Sequence, residues 1–261
     1  MSGYSLRGLH WFNALSAGAN VVEGLPPSLK VADAELGRFI AVVADPDNRF
    51  PRARNGEVGL LEGWGLAKAV DDAISADRDS AQKRPIIAIV DVPSQAYGRR
   101  EETLGIHQAL AGAADSYARA RLAGHPVIAL LVGKAMSGAF LAHGYQANRL
   151  IALRDPGVMV HAMGKASAAR VTLRSVEELE ALASSVPPMA YDIDSYASLG
   201  LLWETLSVQQ IEQPTEEDLT RVTECLKQAI SDVTSTDLKG RLGASNRAAS
   251  SKVRELLRAQ W

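Results

Sequence analysis

Cysteine is all but absent from this chain. Cys225 stands alone, which excludes an internal disulfide and any paired-thiolate metal motif. It falls within the helical periodicity of Leu219, Val222, Leu226 and Ile230, where a thiol packs as a small apolar side chain. Aromatic residues are scarce at 5% while Ala and Gly are plentiful, a composition that suits closely packed helices and strands. A surplus of either charge is missing too. With 28 basic against 30 acidic residues the net charge is −2, so no long-range field draws nucleic acid or membrane phosphates, although local basic patches stay open. No stretch approaches the ~20 apolar residues of a membrane span, and Met1 to Asn20 lacks a basic segment leading into an apolar run. The expectation is a soluble cytoplasmic protein with neither a membrane nor a nucleic-acid partner. His10, His107, His125, His143 and His161 show no metal-ligand spacing, so no metal site is expected. Neither familiar Gly-rich phosphate signature occurs, which disfavours a nucleotide-driven reaction.

What is present is ample apolar content, 47% of 261 residues, arranged as alternating strands and helices. Strands are expected at 39–45, 85–91 and 127–132, with short ones at 150–153 and 158–161. Helices are expected at 59–79, 101–123, from the end of the third strand to about 147, and at 164–173. The alternation implies βαβ crossovers and a largely parallel sheet, hence an α/β fold. After about 175 the pattern turns helical, at 176–184, 191–202, 215–231 and 246–259. The chain divides into an N-terminal arm, 1–38, with little core of its own, a core at 39–175, and a helical C-terminal region at 176–261 within the same domain. Parallel sheets bind ligands beyond the carboxyl ends of their strands, which singles out loops 46–58, 92–100, 133–138 and 162–165.

The third strand is the most informative. Val127, Ile128, Leu130, Leu131 and Val132 show no polar alternation and suit a strand covered on both faces. Gly133, Ala135, Ser137, Gly138 and Ala139 then leave a turn almost free of bulk. First-turn N–H groups of the helix that follows have no intrahelical partner and are free to donate to a developing oxyanion. An ordinary strand-to-helix turn that uses glycine for close packing has the same spacing.

Other candidates carry two readings each. Lys134 and Lys165 suit point-charge binding of a carboxylate or phosphate, or simple solvation in a loop. Arg99 and Arg100 suit an anion clamp, or a charged helix start with Glu101 and Glu102. His143 and His161 suit one shared cleft, or hydrogen-bonded places in the core. Ser137 with His161 resembles a serine-hydrolase pair, in a layout similar to the Clp-type proteases. Their nucleophile precedes the glycine by two residues, however, and Met136 occupies that place here. Ser137 lies one residue on, rotated by roughly 100°, so proteolysis is disfavoured.

Three segments together carry a more specific likeness: Asp91-Val-Pro-Ser-Gln-Ala-Tyr-Gly-Arg-Arg-Glu-Glu, Gly133-Lys-Ala-Met-Ser-Gly-Ala-Phe and Met163-Gly-Lys-Ala-Ser-Ala-Ala-Arg-Val. In order and spacing they resemble the carboxyltransferase branch of the crotonase superfamily. The likeness is strongest to the gamma subunits of biotin-independent malonate decarboxylases, from Asp45-Pro-Asp-Asn-Arg-Phe-Pro-Arg-Ala-Arg-Asn to about Glu204. It implies a crotonase-like ββα superhelix with a helical C-terminal region that shares in the subunit interface. It also implies a beta subunit partner, with the active site between the two chains. The substrate implied is a malonyl thioester on the CoA-derived prosthetic group of an acyl carrier protein, with no cofactor bound directly by this chain. An alpha subunit reloads the carrier. The beta-gamma unit forms the acetyl thioester and carbon dioxide.

Carried over by position, the resemblance makes the Gly138 and Ala139 N–H groups the oxyanion donors, with Ser137 in the same turn. Pro93, Ser94, Gln95 and Tyr97 line the cleft with Gly133 and Lys134, and Gly164 and Lys165 form its far wall. Lys134-Ala135-Met136 and Ser94-Gln95 depart from the carboxyltransferase pattern at the biotin pocket. Carboxyl transfer to biotin and a non-catalytic structural role stand as alternatives. A hydratase is disfavoured, since its two glutamates have no counterpart near 133–145. Tyr97, His161 and water remain open as the proton source.

Overall fold

Aliphatic runs without polar alternation form the middle of one eight-stranded sheet, because only strands covered on both faces can bury every side chain. The computed structural model describes residues 3–236 and 238–261. Residues 1, 2 and 237, within the expected arm and C-terminal region, lie outside the described residues.

Helix α1 (Arg7–Leu15) precedes strands β1 (Asn20–Val21), β2 (Leu29–Ala34) and β3 (Gly37–Val42), which pair antiparallel in turn. Helix α2 (Leu60–Ala76) leads to β4 (Ile86–Val92), and α3 (Arg99–Thr103) with α4 (Ile106–Leu122) leads to β5 (Val127–Met136). Helix α5 (Ser137–Ala142) is followed by β6 (Arg149–Leu153) and β7 (Met159–His161). From β3 through β6 the strands run parallel, as expected of an α/β fold. The C-terminal third holds α6 (Lys165–Val171), α7 (Val176–Ala183), α8 (Ile193–Ser198), β8 (Glu204–Leu206), α9 (Glu216–Ser231) and α10 (Ala248–Gln260).

Three differences from the sequence expectation have physical causes. The expected boundary between arm and core falls inside β3, and residues 7–34 contribute to the main core. Trp11 is fully buried with its indole N–H donating to Ile211 O at 2.8 Å, while Leu29, Val31 and Ala32 are buried on β2. These stretches are short and mixed, and only contacts distant in sequence bury them. The expected helix at 101–123 is two helices, because Gly105 takes a left-handed φ of 85° that no α-helix continues. The expected helix at 191–202 ends at Ser198, and the three residues of β8 join the sheet beside β6. One buried cluster includes Trp11, Ile89, Ile193 and Leu226, so the C-terminal helices share the core with the sheet. Each fully buried Ile or Leu of that cluster contributes roughly 1.5–3 kcal/mol.

β5 positions the site. Its first half, Ile128 to Leu131, pairs with β6, while Lys134 to Met136 pair with β7. The register with β4 shifts between Val90 and Val92 while that pairing continues to Ala135, and on its other side the strand end leaves β6 and joins β7. That exchange sets Met136 opposite His161 and delivers Ser137 and Gly138 just beyond.

Candidate functional site

The turn after β5 is held by hydrogen bonds to two other segments. Ser137 adopts a left-handed φ of 57°, and its hydroxyl donates to Ala162 O at 2.8 Å. Gly138 N–H donates to Gln95 Oε1 at 3.0 Å. Ala139 is fully buried at the same helix start. Gln95 itself has a fixed backbone: Val58 N–H donates to Ser94 O at 3.1 Å, and Ala96 N–H donates to Val58 O at 2.8 Å. The Ser94 hydroxyl donates to Gln95 O at 3.0 Å. Buried Glu62 secures the preceding loop by accepting from Ser28 Oγ, Asn48 Nδ2 and Gly59 N–H at 2.5, 2.8 and 2.9 Å.

One cavity opens on the turn and another on the end of β5 that leads to it. The larger, about 480 Å³, is lined by Ser137, Gly138, Leu141, His161, Pro187 and Tyr196 among others. The smaller, about 250 Å³, is lined by Gly8, Glu57, Asp91, Pro93 and Lys134 among others. Lys134 is exposed at this second mouth, and Tyr97 is exposed on the loop beyond it.

Gly133 faces Asp91. A Cβ there would come within 2.0 Å of Asp91 Oδ1, so the residue is glycine for close packing. Asp91 is 7% exposed and accepts the N–H groups of Gly8 and Lys134, both at 3.1 Å. It therefore ties α1, β4 and the bent end of β5 together. Sequence reasoning assigns Asp91 no role, although it ends an expected strand and opens one of the three segments that carry the family likeness.

The two histidines separate. His143 lies in the core, with Nε2–H donating to Ile89 O and Nδ1 accepting from the Tyr117 hydroxyl, both at 3.0 Å. Burial pushes its pKa down to about 4, so it is a neutral structural group. His161 reaches the larger cavity, stacked on Tyr191 with centroids 3.9 Å apart. Its Nδ1 lies 2.9 Å from Met163 O and 3.1 Å from Met163 N, and burial lowers its pKa. No hydrogen bond joins His161 to Ser137 among the described residues. The Ser137 hydroxyl is engaged by Ala162 O instead.

Gly164 caps α6 in open space. Lys165 pairs with Glu180 at 2.7 Å and lies 5.5 Å from the centre of the Tyr191 ring, on a third cavity with Glu180 and Asp192. The structure thus brings Gln95 onto Gly138 and sets Lys165 apart from that contact. Sequence reasoning also missed Tyr196. Its hydroxyl is buried with no hydrogen-bond partner among the described residues, and burial raises its pKa.

A family model described as malonate decarboxylase gamma subunit matches residues 53–261. The chain is 72% identical to one chain of a Pseudomonas malonate decarboxylase hetero-tetramer in complex with coenzyme A. That match covers 98% of this chain and 99% of the other at a TM-score of 0.94. A malonyl-S-ACP:biotin-protein carboxyltransferase of Malonomonas rubra is 36% identical over 182 residues, 67% of this chain, and the match spans 62% of that relative's length. The transcarboxylase 12S structure, 19% identical, covers 90% of this chain and 43% of its own at a TM-score of 0.63. At that distance the likeness is one of fold, and it is the crotonase-like fold of the carboxyltransferases.

Proposed function

The chain belongs to the malonate decarboxylase gamma subunit family, and we propose that it works as that subunit in a malonyl-S-acyl-carrier-protein decarboxylase. The observation that carries this reading is the near-complete match to a chain of the Pseudomonas enzyme. The partners in this proposal are a beta subunit completing the site, an acyl carrier protein with a CoA-derived arm, and an alpha subunit that reloads it. Among the described residues no helix is long and apolar enough to cross a membrane, and a cytoplasmic location belongs to the same proposal.

In this reaction the bond between the α-carbon and the carboxylate breaks, carbon dioxide leaves, and the electron pair spreads onto the thioester oxygen as an enolate. A proton at the α-carbon then gives the acetyl thioester. The barrier falls when fixed donors meet the oxygen as its charge develops, each typically worth ~3 kcal/mol. The Gly138 N–H, with Ala139 beside it, fills that role in our reading. Ser137 fixes the turn through Ala162 instead of attacking the substrate. Gly133 contributes by closing on Asp91. Pro93 and Lys134 border the neighbouring cavity, where the ammonium suits an anionic group. Ser94, Gln95 and Tyr97 supply the loop facing the turn. Gly164 and Lys165 lie on the α6 side.

The test is carbon dioxide release from malonyl-S-carrier by this chain alone and with its beta partner, in the absence of biotin. Release with the partner only is the expected result. Gly138→Trp should abolish it while leaving the pair assembled. An unaffected turnover would instead favour a purely structural subunit. The Malonomonas relative motivates a second reading, carboxyl transfer to biotin. Turnover that requires biotin would replace the first reading with that one.

A further inference from the structure

We infer that the Gln95 side chain is a built-in competitor for the Gly138 N–H, displaced when the substrate oxygen acquires negative charge. This deepens the functional reading above and rests on it. The donor proposed for the substrate is already engaged, by Gln95 Oε1 at 3.0 Å. An N–H must face an acceptor, so the amide oxygen and not its NH2 occupies the place. The backbone on either side of Gln95 is fastened to Val58, which leaves side-chain rotation as the movement needed to free the donor. The surroundings are not packed shut. Gln95 itself is only half-buried.

Competition of this kind weakens substrate binding and leaves the chemical step alone. A neutral thioester carbonyl and a neutral amide oxygen are comparable acceptors, so the substrate gains little by exchanging one for the other. An oxyanion forms a charge-assisted bond roughly twice as strong and takes the donor. Gln95 therefore withholds the Gly138 N–H from the bound substrate and keeps KM high, while the step to the enolate exchanges a neutral acceptor for a charged one whether that acceptor is Gln95 or the thioester carbonyl.

Steady-state decarboxylation of malonyl-S-carrier by the beta-gamma pair tests the inference. Gln95→Ala removes the competitor from both states, so KM should fall about fivefold, equivalent to the ~1 kcal/mol of one net hydrogen bond. The kcat should stay within about twofold. Gln95→Glu installs a charged acceptor that holds the donor more tightly, and KM should rise. An unmoved or raised KM in Gln95→Ala overturns the inference, as does a fall in both kcat and melting temperature, the signature of a side chain that only anchors the turn. No carbon dioxide release by the wild-type pair would overturn the functional reading itself, and this inference with it.

Discussion

Replacing Gly133 by alanine tests the geometry that aims β5 at the site. The new Cβ would lie 2.0 Å from Asp91 Oδ1 and 2.4 Å from its Cγ, far inside van der Waals contact. Asp91 has little room to yield, since Oδ2 holds Gly8 N–H and Oδ1 holds Lys134 N–H, and the residue is buried. Moving the carboxylate deprives those amides of their acceptor, at about 1–3 kcal/mol for each group left buried and unpaired. Overpacking adds about 1–3 kcal/mol. With partial relaxation the loss should be about 3–5 kcal/mol, which for a chain of this size lowers the melting temperature by roughly 10 °C. Gly138→Ala is the matched control, because its Cβ meets nothing closer than 3.5 Å. Calorimetry of the two variants beside the wild type decides the matter. A Gly133→Ala protein melting within about 2 °C of wild type, or no lower than Gly138→Ala, would refute the argument that Asp91 clamps the strand end.

Other expectations follow from single groups. Tyr196→Phe removes a buried hydroxyl that has no partner among the described residues, so the variant should melt no lower than wild type; a drop of several degrees would reveal a hydrogen bond the structure lacks. Stability should fall as pH drops from 6.5 towards 4. His143 ordinarily titrates at 6.5 but is held neutral to about 4 when folded, so below 6.5 the unfolded chain binds a proton that the folded chain refuses. This residue alone withdraws about 2 kcal/mol by pH 5 and roughly 3 kcal/mol by pH 4. Burial shifts His125 and His161 in the same direction. Urea unfolding midpoints at pH 7 and pH 5 check the sign, and an equal or higher midpoint at pH 5 contradicts it.

The central strands β3, β4 and β5 were legible because a run such as Val127 to Val132 has no polar face and must be covered on both sides. The turn was legible for a similar local reason: Gly133, Ser137 and Gly138 supply the freedom and the small size that a close approach requires. Local pattern also found helices α2, α4 and α9 to within a few residues, apart from the break at Gly105. It did not find β2 or β8, whose short segments hold their places only through the strands beside them. Nor did it find the partners that define the site. Gln95 and Gly138 are 43 residues apart, Asp91 and Gly8 are separated by 83, and Trp11 reaches Ile211 across 200. Periodicity reports which face of an element is apolar, whereas these contacts depend on strand register and on the point where β5 leaves β6 for β7. A one-residue slip there would send each side chain to the opposite face, and a register of that kind is fixed by the whole sheet and not by any stretch of sequence.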